Sequence, residues 1–152
     1  MRTSKAGTNF IKGFEQLKLV PYKCSGGWWT IGYGHAISKT EKPYWEVTEE
    51  MAEWFLEKDV AKSEGAVDRL IRVSLTQNQF DALVSFTFNL GGGALQRSTL
   101  RQKLNRGEYD EIPDEFMKWV RAGGFVLKGL VRRRTAEGRI FMTKETLNGV
   151  SA

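Results

Sequence analysis

The sequence predicts a mostly helical α+β protein, with a small lobe that contains a β-hairpin and a larger lobe built from helices. Helical spacing of apolar residues recurs along most of the 152-residue chain, and one segment, "FDALVSFTFNL", is apolar almost all round, as a buried central helix is. Glycines and tryptophans instead cluster in "CSGGWWTIGYG", which is typical of a hairpin. Apolar residues make up 41% of the chain, enough for one hydrophobic core.

The first predicted helix covers Lys5 to Leu17, and one face carries Phe10, Ile11, Phe14 and Leu17. Pro21 is expected to stop it. A tight turn at Gly26-Gly27 then begins the hairpin, whose second strand alternates Trp29, Ile31 and Tyr33 with smaller residues. We predict no other β-structure.

The second predicted helix begins at Thr48, whose hydroxyl can cap it, and continues to Ile71. Its glycine, Gly65, is expected to mark a bend. The predicted apolar face comprises Met51, Trp54, Phe55, Val67, Leu70 and Ile71.

The central helix is expected to begin with a capping box of Thr76 and Gln79 and to end at Gly91. Three further helices are predicted: from Ser98 or Thr99 to Gly107, from Pro113 to Gly123, and from about Leu130 to Met142.

We expect a single domain over residues 1–152. The small lobe covers about residues 14–60, the first helix packs on the larger lobe, and the helical lobe covers about residues 61–152. Two lobes leave a cleft, and clefts between lobes are preferred ligand sites.

Charge is unevenly distributed along the chain, whose net charge is +5. Between Lys118 and Lys144 there are eight cationic residues and one carboxylate, so this segment carries +7 and the remainder −2. Three interpretations stay open: a solvated helix face, a nucleic-acid site, or a surface for an anionic cell wall. A single cysteine excludes an internal disulfide, and no apolar run approaches the roughly 20 residues of a membrane span.

Glu15, Cys24 and Thr30 are the candidate catalytic residues. The end of the first helix and the adjoining hairpin can turn these three polar side chains toward one cleft. Glu15 is a plausible proton donor because Phe14 and Leu17 favour its partial burial. Cys24 is a candidate base or nucleophile, and Thr30 a candidate holder of water. The residues alone also allow a surface glutamate and a small buried cysteine.

The pattern E-x8-C-x5-T, formed by Glu15, Cys24 and Thr30 and followed at once by "IGYGH", resembles the signature of the phage-type lysozymes, glycoside hydrolase family 24. "LTQNQFDALVSFTFNLGGGAL" is similar to the central-helix motif of that family. "STLRQKLNRGEYDEI" and "MKWVRAGGFVLKGLVRRR" resemble the helices that follow. The resemblance spans roughly residues 10–142 and implies a lysozyme-like fold.

What the resemblance implies is a muramidase that hydrolyses the β-1,4 bond between N-acetylmuramic acid and N-acetylglucosamine in peptidoglycan glycan strands. No metal or organic cofactor is implied. Glu15 matches the general acid, and Thr30 matches the residue that positions the attacking water. An arginine of the last helix is expected beside the acid, and from the triplet Arg132, Arg133 and Arg134 we select Arg133. The positions that match residues contacting the glycan are Phe88, Asn89 and Thr99.

Cys24 departs from the family pattern, which has aspartate at this position. Inverting hydrolysis needs a base across the sugar from the acid, roughly 6.5–9.5 Å away for two carboxylates. A free thiol, with a pKa of about 8.5, is mostly protonated at neutral pH. Cys24 is therefore a base with a lowered pKa, a nucleophile that forms a glycosyl thioether, or a spectator. Of these we favour a base or a water-positioning residue.

The remaining expectations concern His35, the competing functions and the surroundings of the protein. His35 is interpreted as structural and paired with a carboxylate. Rival functions are a lytic transglycosylase, a basic module for nucleic acid, which we do not expect, and an inactive wall-binding relative. We expect a monomer that is made in the host cytoplasm and reaches the wall after a holin permeabilises the membrane. The basic C-terminal region is expected to face the anionic envelope.

Overall fold

The computed structural model describes residues 1–24, 26–43, 46–147 and 150–151, and in this part the chain is mainly helical. The helices are α1 (Lys5–Glu15), α2 (Glu49–Leu70), α3 (Gln77–Leu90), α4 (Gly92–Arg97), α5 (Thr99–Asn105), α6 (Ile112–Phe116) and α7 (Lys128–Met142), with a short 3-10 helix at Tyr109–Glu111. The strands are β1 (Lys18–Lys23), β2 (Trp29–Gly32), β3 (His35–Ser38), β4 (Arg121–Ala122), β5 (Phe125–Val126), β6 (Thr146–Leu147) and β7 (Val150–Ser151). The predicted α+β class is confirmed.

The main sheet is antiparallel with the order β1-β2-β3, so it has one strand more than the predicted hairpin. Helix α1 ends at Glu15, two residues earlier than predicted, because the chain turns at Gln16, whose φ is +52°. Pro21 does not stop the helix. It lies in β1, an edge strand, where a missing N–H donor is tolerated. The short pairs β4–β5 and β6–β7 were also not predicted.

Helix α2 is capped by Thr48 as predicted and runs through Gly65 as one helix of 22 residues. The predicted apolar face was wrong at Met51 and Trp54, which are 43% and 54% exposed. The buried positions are Ala52, Leu56, Val60, Ser63, Ala66, Val67 and Leu70. This face packs against the sheet, α3 and α4.

Helix α3 is the centre of the fold, as the sequence predicted. Thr76 and Gln79 form the capping box, every residue from Phe80 to Thr87 is buried, and Gly91 follows its last turn. It packs against α1, α2, α4 and α7. Because helices surround it, no polar face is needed.

The last third of the chain differs most from prediction. Helix α5 is capped by Ser98 as expected, but α4 before it was missed. The helix predicted from Pro113 to Gly123 ends at Phe116, and Arg121 already belongs to β4. Helix α7 begins two residues earlier than predicted, at Lys128.

Two separate apolar clusters lie in the described part of the chain. The larger surrounds α3 and includes Phe86, Phe116 and Phe141. The smaller comprises Ile31, Val47 and Ala52 under the sheet. Tyr33 packs against both clusters.

Candidate active site

Glu15 lies at the C-terminal end of α1 and is held by a cation from the other end of the sequence. Its Oε1 is 2.6 Å from Nη1 of Arg133, and the two side chains are 16% and 5% exposed. The ring of Phe14 lies 5.4 Å from the Arg133 guanidinium carbon. The arginine beside Glu15 is thus the one selected from the triplet, and little water reaches the pair.

The other oxygen of Glu15 faces the backbone of Gly34, in the turn between β2 and β3. A Cβ atom on Gly34 would lie 2.5 Å from Oε2 of Glu15, well inside van der Waals contact. Gly34 also has φ of +78°, which L side chains rarely adopt. Both the close approach of Glu15 and the positive φ therefore require glycine at this position. The turn confines the carboxyl on the side opposite Arg133.

A buried network fixes Arg133 itself. Glu137 is fully buried and accepts from Nε of Arg133 at 3.4 Å, from Nη1 of Arg134 at 2.7 Å and from the hydroxyl of Ser85 at 2.6 Å. Burial raises the pKa of Glu137, and the two guanidinium groups oppose that rise. Burial also lowers the pKa of Arg134 to about 10. With its Nε engaged, Arg133 has one end of the guanidinium free to hold Glu15.

Cys24 follows β1 directly, at the start of the turn into β2. Its backbone N–H donates to the carbonyl of Trp28 at 2.9 Å, and its carbonyl accepts from Gly27 at 3.0 Å. Burial alone would raise the pKa of the thiol, but hydrogen bonds from the backbone of Trp28 and Gly26 and from the Thr30 hydroxyl outweigh it. The pKa of Cys24 therefore lies below its ordinary value.

Thr30 lies on β2 and is 3% exposed. Its hydroxyl donates to the carbonyl of Trp28 at 3.0 Å and is also within hydrogen-bonding reach of the Cys24 thiol. The hydroxyl has one hydrogen and so can donate to only one of the two at a time.

Tyr22 connects the two halves of the site electrostatically. Burial raises the pKa of its hydroxyl, and the nearby negative charges of Glu15 and Cys24 raise it further. Tyr22 is therefore a residue whose ionisation both candidate catalytic groups influence.

The predicted glycan-contacting residues, Phe88, Asn89 and Thr99, lie in three different environments. Phe88 is half-buried and lines a cavity beside Gly34. The side-chain oxygen of Asn89 accepts from Nη2 of Arg134, which ties it to the buried network. Thr99 begins α5 and donates its hydroxyl to Glu115.

The cavity beside Gly34 measures about 490 Å³ and separates the sheet from the ends of α3 and α4. Its floor is α2. The wall residues are Gly34, His35, Ala36, Asp59, Lys62, Ser63, Ala66, Arg69, Thr87, Phe88, Gly91 and Gly92. A volume of this size is typical of ligand sites, roughly 300–1,000 Å³.

His35 has the structural role expected of it. Its Nδ1 lies 2.7 Å from Oδ2 of Asp59, and its ring stacks on Phe55 at 4.2 Å between centroids. This contact fastens β3 to α2 at the edge of the cavity.

Sequence reasoning missed Gly34, Ser85 and Glu137 as parts of the site. Two signals were present: the arginines and Glu137 are spaced three and four residues apart, so they share one helix face, and Ser85 is a polar residue in an apolar helix. Nothing in the sequence pairs α7 with Ser85, which is 48 residues before Arg133. The segment counted as +7 also exposes less charge than its sequence indicates, because Arg133 and Arg134 are buried.

A phage lysozyme family model matches residues 12–137, most of the chain. The endolysin of Bacillus phage B103 is 47% identical over 97% of this chain, and that of Acyrthosiphon pisum secondary endosymbiont phage 1 is 42% identical over 93%. The chain spans 57% of the length of the first relative and 98% of the second.

Solved structures are similar over nearly the whole chain. The muramidase domain of SpmX from Asticaccaulis excentricus has a TM-score of 0.82 at 39% identity, covering 93% of this chain and 98% of that one. The endolysin from Escherichia coli O157:H7 phage FAHEc1 has a TM-score of 0.82 at 37% identity, covering 93% and 94%. The chain therefore belongs to the phage lysozyme family, a family of lysozyme-type glycoside hydrolases, and its predicted lysozyme-like fold is confirmed.

Proposed function

We propose that this protein is a muramidase that hydrolyses β-1,4 bonds of peptidoglycan for host lysis, with Glu15 as the general acid. The contact between Glu15 and Arg133 at 2.6 Å carries the proposal, because it holds a carboxyl beside Gly34, a residue of the cavity wall. In its protonated form Glu15 donates to the leaving glycosidic oxygen as the bond to C1 breaks. Arg133 orients the carboxyl by binding one oxygen, and the backbone of Gly34 lies against the other oxygen.

Cys24 is the proposed base. Its lowered pKa gives more thiolate at neutral pH than an ordinary cysteine has. The thiolate accepts a proton from water as the water oxygen attacks C1. The resemblance assigns the positioning of that water to Thr30. When the Thr30 hydroxyl donates to the thiol instead of the Trp28 carbonyl, it has a second role, stabilising the thiolate.

The first experiment digests purified peptidoglycan and identifies the product ends by mass spectrometry. Reducing N-acetylmuramic acid ends support hydrolysis, whereas 1,6-anhydro ends would show a transglycosylase. Glu15→Gln is expected to lower the rate by about 10² to 10⁴. Retention of wild-type activity in Glu15→Gln would overturn the assignment.

The second experiment concerns the thiol. Cys24→Asp is expected to retain activity within about tenfold, and Cys24→Ala to lose about 10² or more, because only aspartate replaces the base. Full activity in Cys24→Ala would leave the thiol without a chemical role.

Thr30→Val removes one stabilising hydrogen bond, so the pH midpoint of Cys24 alkylation by iodoacetamide should rise. An unchanged midpoint would contradict the role of Thr30.

The protein is expected to act at the bacterial cell wall, where phage endolysins act. Synthesis in the host cytoplasm, release by a holin and a monomeric state belong to this proposal. The exposed cations Arg121, Lys128, Arg132, Arg139 and Lys144 favour contact between the C-terminal region and the anionic envelope. In the described part of the chain, no helix is both long and apolar enough to cross a bilayer.

A further inference from the structure

The floor of the 490 Å³ cavity carries two cations that the proposed glycan chemistry does not use. Lys62 and Arg69 are exposed residues of α2, seven positions apart and therefore on one helix face. Within the described residues, no carboxylate lies within 4.0 Å of either cation. The carboxylate in the cavity wall, Asp59, is bound to His35. The cavity thus contains two cations without an ion-pair partner among the described residues, whereas its carboxylate, Asp59, is already paired with His35.

The rest of the cavity wall suits a carbohydrate. Gly34, Gly91 and Gly92 leave the backbone uncovered by side chains, and half-buried Phe88 supplies an aromatic ring. Amide-linked muramic acid and N-acetylglucosamine are uncharged, so a bare glycan gives the two cations no ionic partner. The carboxylates of the substrate lie on the peptide stem that hangs from each muramic acid.

We propose that Lys62 and Arg69 bind carboxylates of the peptide stem and so make the enzyme selective for glycan whose stems carry free carboxylates. The inference rests on the proposed muramidase function. Seven residues of helix place the two positions about 10 Å apart. An extended peptide covers that distance in about three residues. The cations can therefore meet two carboxylates of one stem while Phe88 and the glycines contact the sugars.

The test compares two forms of soluble, uncross-linked peptidoglycan strands: one with free stem carboxylates, and one in which carbodiimide and ammonia have converted them to amides. Exposed ion pairs contribute only modestly to binding, so amidation should lower wild-type kcat/KM by about fivefold to tenfold. The loss should appear mainly in KM and should shrink at high salt, which screens charge.

Lys62→Gln/Arg69→Gln should cleave both forms with nearly equal kcat/KM. The matched control is Lys58→Gln/Arg72→Gln, which removes the same charge from exposed positions on or next to α2 that do not line the cavity. It should keep the wild-type preference. Because all four side chains are exposed, thermal unfolding should change little.

Two results would overturn the inference without affecting the proposed muramidase function. One is equal wild-type cleavage of both forms, and the other is a Lys62→Gln/Arg69→Gln variant that keeps the wild-type preference. Equal loss of preference in the control variant would also overturn it, since general electrostatic attraction would then be the cause. No new reducing ends from either form would overturn the proposed function itself, and the inference with it.

Discussion

At the scale of single residues, the site depends on how tightly Glu15 is confined. One oxygen is held by Arg133, and the other lies against Gly34. Gln16, directly after the acid, has φ of +52°, a value that is uncommon for a residue with a side chain. The chain thus accepts local strain where α1 turns into β1, and the acid stays at the helix end.

Gly34→Ala should inactivate the enzyme more than it destabilises it. The added Cβ would lie 2.5 Å from Oε2 of Glu15 and displace the carboxyl from its contact with Arg133. We expect kcat to fall by about 10² or more, since a misplacement of about 1 Å can cost that much. The measurements are kcat and the free energy of unfolding.

Gly107→Ala is the control for this prediction. Gly107 has φ of +81°, close to that of Gly34, but a Cβ added there would meet no atom of the described residues within 4 Å beyond its own chain neighbours. Its strain cost should be similar, of about 1 kcal/mol, with activity retained. Equal activity losses in the two variants would show that backbone strain, and not contact with Glu15, is responsible.

At the scale of elements, a buried carboxylate joins α5 to α6. Glu115 is 2% exposed and lies 2.7 Å from Nζ of Lys118 and 3.3 Å from Nζ of Lys103, and it accepts from Thr99. Burial tends to raise the pKa of Glu115, but Lys118, Thr99 and Lys103 together lower it below its ordinary value. The ionised form therefore stabilises the fold.

Glu115→Gln should destabilise the protein by about 1–3 kcal/mol near neutral pH. Because the folded-state pKa of Glu115 is lowered, its stabilisation is complete above the unfolded-state value of about 4.3 and disappears as pH falls through the folded value. Urea unfolding at pH 7 and at pH 3 should show a larger difference between variant and wild type at pH 7 than at pH 3. An equal difference at both values would contradict the charge-based explanation.

The exposed ion pair nearby supplies the comparison for this element. Glu111 is 51% exposed and 3.5 Å from Lys103. Glu111→Gln should change the free energy of unfolding by less than about 1 kcal/mol at either pH, because water screens the pair.

At the scale of the whole molecule, α7 is attached to the central helix α3 by polar as well as apolar contacts. Ser85 on α3 donates to Glu137 on α7, and Arg133 crosses from α7 to Glu15 on α1. One network therefore connects the beginning, the middle and the end of the sequence. Stability and the geometry of the acid are coupled through it.

Glu137→Ala should lower the free energy of unfolding by about 3–5 kcal/mol, because it leaves the buried guanidinium of Arg134 without a carboxylate and Arg133 with Glu15 alone. It should also lower kcat under conditions where the protein remains folded, since Arg133 loses its anchor. Denaturant unfolding and single-turnover kinetics measure the two effects.

Glu108→Ala removes a carboxylate from the exposed pair with Arg106 and should leave both the free energy of unfolding and kcat almost unchanged. A comparably small cost for Glu137→Ala would mean that the buried arginines find other partners, contrary to the network that joins α1, α3 and α7.

Local chemistry made much of this fold predictable. The Thr76 capping box, the apolar run from Phe80 and the glycines after α3 and α5 act over three or four residues, so the pattern alone places them. The resemblance carried by Glu15, Cys24 and Thr30 indicated the first helix and the hairpin as parts of the candidate site. Predictions failed where the sequence did not show where a helix ends: Pro21 lies in a strand instead of stopping a helix, and α6 ends at Phe116.

The sequence by itself determined the helix-rich class, the central helix, the family and the segment that holds the candidate acid. Only the tertiary structure decided that Arg133 holds Glu15, that Gly34 abuts the acid, that His35 pairs with Asp59, and that Lys62 and Arg69 face the cavity. The physical reason is distance along the chain. Capping, periodicity and turns are set by neighbouring residues, whereas these contacts join positions brought together only when the helices pack around α3.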